Sequence, residues 1–165
     1  MWIGLVGAAW AEDLGIDEGT FEIGGQATAN IVLADGVSDV YLELAPSGGY
    51  FVSDTVELLA GLSLHVDEGT LGVGFFAGLD AFLGTEGVAP YVGGTVGYGM
   101  ARFAPNSLFV YSQDAVTLSG RGGVVLPLNR KVGVDLGARL HLNIDDGATW
   151  VELPLGYIGV RAFFP

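Results

Sequence analysis

From Thr20 to Leu33 the chain alternates. Thr20, Glu22, Gly24, Gln26, Thr28 and Asn30 hold the even positions; Phe21, Ile23, Gly25, Ala27, Ala29, Ile31 and Leu33 hold the odd ones. Successive side chains of a strand point to opposite faces, so this stretch predicts a strand with one apolar and one polar face. The two-residue period returns along the whole sequence. Val40, Leu42 and Leu44 alternate with Tyr41, Glu43 and Ala45, and Val56 to Val66 alternate with Glu57, Gly61, Ser63 and His65. Leu71 to Ala81 alternate with Gly72, Gly74, Phe76, Gly78 and Asp80, and a strand from about Ala89 to Phe103 carries Tyr91, Gly93, Thr95, Gly97 and Gly99 on one face. Thr117, Ser119, Arg121 and Gly123 form the polar row of the next strand. The turn Pro127-Leu128-Asn129-Arg130 then leads to Val132–Leu142, with Gly133, Asp135, Gly137, Arg139, His141 and Asn143 opposed to the apolar row. A last strand ends GYIGVRAFF.

The reading is eight strands joined by short connections rich in Gly, Asp and Asn, as hairpin turns require. Each strand runs roughly 11–15 residues, well beyond the mode of about 5–6 in globular proteins. Strands of about 9–11 residues suffice to cross a bilayer when tilted. Equal, long, up-and-down hairpins predict closure into a barrel, because an open sheet would expose two long edges. In lipid, closure is compulsory, since no water is present to satisfy an edge.

Polarity chooses between two kinds of barrel. A soluble calycin-like carrier keeps its apolar face inside, whereas a membrane barrel turns it out to lipid and keeps the polar face within. The apolar rows here are continuous and almost free of charge. The polar rows mix many glycines with bulky Phe76, Phe82 and Tyr91, which suits a crowded interior of limited radius. The expected fold is therefore all-β: an eight-stranded antiparallel up-and-down transmembrane β-barrel.

Composition sharpens this. The 165 residues are 50% hydrophobic and only 15% charged, against roughly a quarter charged in soluble domains. The 28 glycines argue against long helices, where each costs about 1 kcal/mol relative to alanine. A net charge of −13 with only six Lys and Arg excludes nucleic acid as a partner, because phosphates need clustered cations. With no cysteine, disulfides and zinc–thiolate sites are excluded. At the start, WIGLVGAAWA is apolar and Ala9-Trp10-Ala11 precedes Glu12-Asp13, the small-x-small form of a signal-peptidase site. Residues 1–11 are expected to be a signal-peptide remnant and residues 12–165 a single exported barrel domain.

Three stretches carry a family resemblance. Pro46 to Leu64 (PSGGYFVSDTVELLAGLSL) resembles the second hairpin of small bacterial outer-membrane β-barrel proteins of the OmpA/OmpX/OmpW type. Pro90 to Gly99 (PYVGGTVGYG) resembles their fifth strand, and the ending GYIGVRAFF is similar to their C-terminal signal. The likeness covers about Thr20 to Phe164. The chain departs from the pattern in ending on Pro165 and in carrying Pro154 where the last strand's alternation should continue. The resemblance implies the eight-stranded fold, residence in the cell outer membrane with both termini periplasmic, and the lipid bilayer and outer-membrane assembly machinery as partners.

An eight-stranded barrel has room for its own side chains or one small ligand. The polar rows place Glu22, Glu43, Glu57, Asp80 and Asp135 inside with Arg121, Arg139 and Arg161, and His65 and His141 beside them. Buried charges persist only when paired and hydrogen-bonded. Folding the hairpin about Leu128 sets Arg121 opposite Asp135; folding the next about Ala148 sets Asp135 opposite Arg161, and closure brings Arg161 to Glu22. Acids and bases are interleaved, unlike the one-signed rings of selective pores, so the cluster reads as a structural plug.

No cofactor, metal or catalytic residue is expected. Two histidines without metal-spaced neighbours make a poor zinc signal, Asp67-Glu68-Gly69 and Asp145-Asp146-Gly147 read as turns, and no G-x-S-x-G elbow marks a nucleophile. Tyr50, Tyr98, Trp150, Phe163 and Phe164 are candidates for the aromatic girdles at the bilayer interfaces. Among the connections expected to face outside, Ala104 to Ser112 alone offers apolar area. With Phe103, Leu108, Phe109 and Tyr111 it is the candidate contact for self-association or a surface partner. The expected function is that of a non-catalytic, structural outer-membrane protein with a plugged polar lumen. The alternatives are a narrow pore or lateral conduit for small, hydrophobic solutes, and the soluble carrier.

Overall fold

The computed structural model describes residues 13–165 apart from 35–36, 68–69, 104–109, 112–114, 146–147 and 155. Its strands are β1 (Phe21–Ala34), β2 (Val37–Ser53), β3 (Val56–Asp67), β4 (Thr70–Phe82), β5 (Ala89–Phe103), β6 (Val110–Tyr111), β7 (Ala115–Asn129), β8 (Val132–Asp145), β9 (Ala148–Glu152) and β10 (Tyr157–Phe164). All pairings are antiparallel; successive long strands pair in chain order, β5 with β7 past the two-residue β6, and β10 pairs with both β8 and β1, which closes the sheet. The two-residue β6 only extends the end of β5. β9 and β10 are two pieces of one stave, so the barrel has eight.

The break in that stave has a local cause. Pro154 has no N–H to give to a ladder, and Gly156 takes φ +138, a region side chains avoid. On β8, three residues separate the partners of Tyr157 (Gly137) and Glu152 (His141), while four residues, 153–156, separate them on the last stave. The extra residue switches the inward row from even to odd numbers, so Tyr157, Arg161 and Phe163 all point in. This is the parity change that Pro154 introduces into the sequence pattern.

A second departure lies in the β7–β8 hairpin. The strand runs on through Pro127, and the turn falls at Arg130-Lys131, not about Leu128. Asn129 fixes it there. Its Oδ1 accepts hydrogen bonds from the N–H groups of Lys131 (2.8 Å) and Val132 (3.0 Å), a local side-chain-to-backbone closure typical of Asn. The register follows: Arg139, not Asp135, stands across from Arg121.

The faces have membrane polarity. Leu62, Val92, Val96 and Ile158 are 50–59% exposed on the outside, while Glu57, Asp80 and Asp135 are fully buried within. This is the reverse of a soluble carrier, whose outer face is polar.

The barrel end at which β1 begins and β10 ends, called the near end below, is closed by apolar side chains. Phe51, Phe82, Ala89, Val125 and Phe163 pack there with Leu14 and Ile16 from the segment before β1. Phe51 lies 5.4 Å from Phe82 and 6.2 Å from Phe163 between ring centroids. Phe163, expected in a girdle, is instead part of this inner cap with no exposed surface. The segment from Asp13 to Thr20 crosses the mouth and is tied to three turns. Asp13 Oδ1 accepts from Gly87 N–H (3.0 Å), Gly15 N–H donates to Arg130 O (2.8 Å), and Glu18 N–H donates to Asp54 Oδ1 (3.1 Å).

Candidate functional site: the lumen

Above the apolar cap lies a charged layer centred on Arg161, which projects from β10. Each of its guanidinium nitrogens reaches a different strand: Nε donates to Asp135 Oδ2 (2.9 Å), Nη1 to Glu57 Oε2 (3.0 Å) and Nη2 to Asp80 Oδ2 (2.9 Å). Nη1 also lies 3.8 Å from Glu22 Oε2. The plane rests on Tyr91, 4.6 Å from its ring centroid, with Phe82 at 5.6 Å, a cation–π arrangement strengthened by desolvation.

Arg121 pairs with Asp80, through Nε–Oδ1 (2.8 Å) and Nη2–Oδ2 (2.6 Å). These two residues sit on strands that are not neighbours. Gly93 of β5 lies between, across from Asp80 on one side and from Arg121 on the other. A Cβ at Gly93 would run into the Asp80 carboxylate. The missing side chain is what lets the bidentate pair, the strongest form of this contact, bridge over an intervening strand. Asp135 is held by Arg161, by the Tyr91 hydroxyl (2.7 Å to Oδ1) and by Gln26 Nε2 (2.8 Å to Oδ2). The hydroxyls of Tyr91 and Tyr157 hydrogen-bond each other.

Further up, contacts become local. Arg139 Nη1 donates to Glu43 Oε1 (2.8 Å), and Nη2 donates to Gln26 Oε1, which ties this pair to the layer below. Ser119 Oγ meets His141 Nδ1 at 2.7 Å, and Thr117 Oγ1 donates to Asn143 Oδ1 at 2.7 Å, each between cross-strand partners. Six of the eight lumen charges read from the sequence thus share one layer: Glu22, Glu57, Asp80, Arg121, Asp135 and Arg161. Glu43 and Arg139 form a separate pair above it. Sequence reasoning set Asp135 opposite Arg161 and Arg161 towards Glu22; in the ladder Asp135 stands across from Gly159 and Arg161 across from Gly133, and the two side chains meet on the diagonal, with Glu22 beside them. Sequence reasoning missed Gln26, Tyr157 and the Asp13–Thr20 strap, although Leu14 and Ile16 alternate with Asp13, Gly15 and Asp17 just as a strand would.

The outer surface and this filled lumen set the comparison with known proteins. The N-terminal β-barrel domain of Pseudomonas aeruginosa OprF matches with a TM-score of 0.66 at 18% identity, over 89% of this chain and 98% of that one. Neisserial surface protein A matches with a TM-score of 0.73 at 18% identity, over 89% and 100%. OprG of Pseudomonas aeruginosa matches with a TM-score of 0.56 at 19% identity, over 92% and 99%. The fold is that of the small outer-membrane β-barrels. No protein-family model matches the chain, nor does the sequence of any curated protein. As a transmembrane barrel it has a lipid bilayer as its surroundings, and the exposed leucines, valines and isoleucines are its lipid-facing belt.

One constellation in this barrel has the composition of a hydrolase triad: Ser119, His141 and Glu43. Its geometry differs from one. His141 Nε2 is 4.0 Å from Glu43 Oε2 and makes no hydrogen bond, while Glu43 is engaged by Arg139. Residues flanking Ser119 are paired in the sheet on both sides, so their N–H groups are not turned toward a developing oxyanion, which such chemistry requires.

Of the candidate contact loop, Phe103 and Tyr111 belong to the short β5–β6 pairing, Phe103 across from Val110 and Arg102 across from Tyr111. Leu108 and Phe109 lie outside the described residues, as do residues 1–12 with the expected cleavage point.

Proposed function

We propose that this chain is a structural protein of the cell outer membrane, without catalytic activity, whose lumen is closed by its own side chains. The near end with both termini faces the periplasm, and residues 1–11 are the remnant of an export signal. The observation that carries the reading is the Arg161 layer. One guanidinium ties β3, β4 and β8 to β10 across the whole lumen, directly above an apolar cap. A conducting path would have to break several charge-assisted bonds at once.

The reading extends to partners. Insertion uses the outer-membrane assembly machinery, and any self-association or surface partner is met by the 104–112 connection with Phe103, Leu108, Phe109 and Tyr111. A lateral conduit, the alternative, needs a gap between staves. The outward groove lined by Gly94, Leu118, Gly120 and Leu140 is floored by the continuous β5–β7 pairing, Gly94 across from Gly120. That favours the plug.

The test is conductance in planar bilayers. The refolded barrel is expected to give no discrete steps above background, and regular steps that persist with purified protein would replace the plug by a pore. A fluorophosphonate probe is expected to leave Ser119 unlabelled.

A further inference from the structure

Donors in the Arg161 layer are shared unevenly. Asp80 receives three hydrogen bonds from Arg121 and Arg161, and Asp135 is served by Arg161, Tyr91 and Gln26. Glu22 and Glu57 are left with one nitrogen between them: Arg161 Nη1, at 3.0 Å from Glu57 Oε2 and 3.8 Å from Glu22 Oε2. The other oxygen of each, Oε1, is buried and has no hydrogen-bond partner. Both residues are almost completely enclosed, at 3% and 0% exposure; the Oε2 of each faces the same Arg161 Nη1, and Glu57 Oε1 lies over Gly49, the cross-strand partner of Glu22.

Two ionised carboxylates cannot bond each other, because both are acceptors only. The charge count points the same way. Glu22, Glu57, Asp80 and Asp135 face two cations, Arg121 and Arg161, in a compartment capped by Phe51, Phe82 and Phe163. Buried like charges in contact are relieved when one of them takes up a proton.

We propose that Glu22 and Glu57 form a proton-binding site, in which the folded barrel holds one proton between the two carboxyls. One carboxyl is the acid and donates its O–H to the other, which remains a carboxylate on Arg161 Nη1. The groups facing the pair are Asp80 from β4, Tyr91 from β5, Arg121 from β7, Asp135 from β8, and Arg161 and Tyr157 from β10. The two aspartates add negative charge and hold the proton in place; the two arginines oppose it, but only Arg161 Nη1 is directed at the pair, while Arg121 Nε and Nη2 and Arg161 Nε and Nη2 are bonded to those aspartates. Gly49 makes the meeting possible. It stands across from Glu22 on β2, and a Cβ there would occupy the place of the Glu57 carboxyl.

The experiment is difference infrared spectroscopy of the refolded barrel in lipid at neutral pH. A carbonyl band of a protonated carboxylic acid is expected in the folded wild type. It should disappear in Glu22→Gln and in Glu57→Gln, where an amide replaces the acid as donor, and persist in Glu43→Gln. If one of the two variants does not refold, the other and the wild-type spectrum carry the test. No such band in the wild type, or a band that survives either substitution, overturns the assignment.

Discussion

The two halves of the lumen are held by different means. Near the termini, one guanidinium spans the barrel and binds acids from three other strands, and Arg121 completes the set. In the far half, Ser119 with His141 and Thr117 with Asn143 join strands already paired side by side, and Arg139 crosses the lumen to Glu43 and Gln26. A cross-strand pair adds a contact to a ladder that exists without it. A trans-lumen centre instead makes several strands depend on one another. The near half should therefore fail as a unit, and the far half bond by bond.

The sharpest way to break this contrast is to remove each centre. Arg161→Leu leaves four buried acids with Arg121 alone, and breaking a buried pair from one side costs about 3–5 kcal/mol. Arg139→Leu strands only Glu43, with Gln26 still bonded to Asp135, and should cost distinctly less. Urea titration of both variants in detergent or lipid reads the difference. Equal losses would mean that the halves are not built differently after all.

The outer face supplies the next effect in size. Leu62, 50% exposed to the outside, is expected to lose about 2–4 kcal/mol on replacement by Arg near the bilayer midplane. Ser63, its neighbour on the lumen side, should accept Arg with a smaller loss. Parity alone separates the two positions, so equal tolerance would remove the lipid-facing assignment.

A double-mutant cycle then sharpens the map within the near half. Arg121→Ala and Asp80→Ala should couple by about 0.5–3 kcal/mol, as residues in direct contact do. Arg121→Ala with Asp135→Ala should couple less, because those two are linked indirectly, through Arg161 and Tyr91. The opposite order of coupling would restore the register that the sequence alone suggested.

That register shows where the sequence was readable and where it was not. The period-two alternation is strong because a slip of one residue would turn a whole row of leucines into the lumen. The strands, their faces and the closure into a barrel were therefore all legible. Turn position was not. Pro127 and Leu128 look like turn residues, yet Asn129 sets the turn two residues later, and every cross-strand partner in that hairpin moves by four. Phe163 was misplaced for a related reason: the odd-numbered inward row of β10 exists only because the Pro154–Gly156 break adds a residue. The bridge from Asp80 to Arg121 had a readable sign in Gly93, since a glycine facing an acid across a ladder makes room for a contact beyond it. The Arg161 centre as a whole could not be read, because its four acids come together only through closure.

The smallest expected effect tests whether the strap is a separate part. Asp13 is tied to the β4–β5 connection by one exposed hydrogen bond from Gly87, and a bond of this kind contributes about 0.5–1.5 kcal/mol at most. Asp13→Ala should thus leave the urea midpoint nearly unchanged. Its effect should be local, because Leu14 and Ile16 remain buried in the cap and Gly15 and Glu18 keep their own ties to Arg130 and Asp54. Amide hydrogen exchange resolves this: Gly87 should exchange faster, Gly15 and Gly19 slightly faster, and the amides of β8 and β10 beside the Arg161 layer should be unaffected. Conductance should stay at background as well if, as proposed, the charged layer closes the lumen whether or not the strap is fully seated. Faster exchange at Val134 or Val160, or the appearance of conducting steps, would show that the strap and the charged layer close the barrel together, and the near half would then extend down to Asp13.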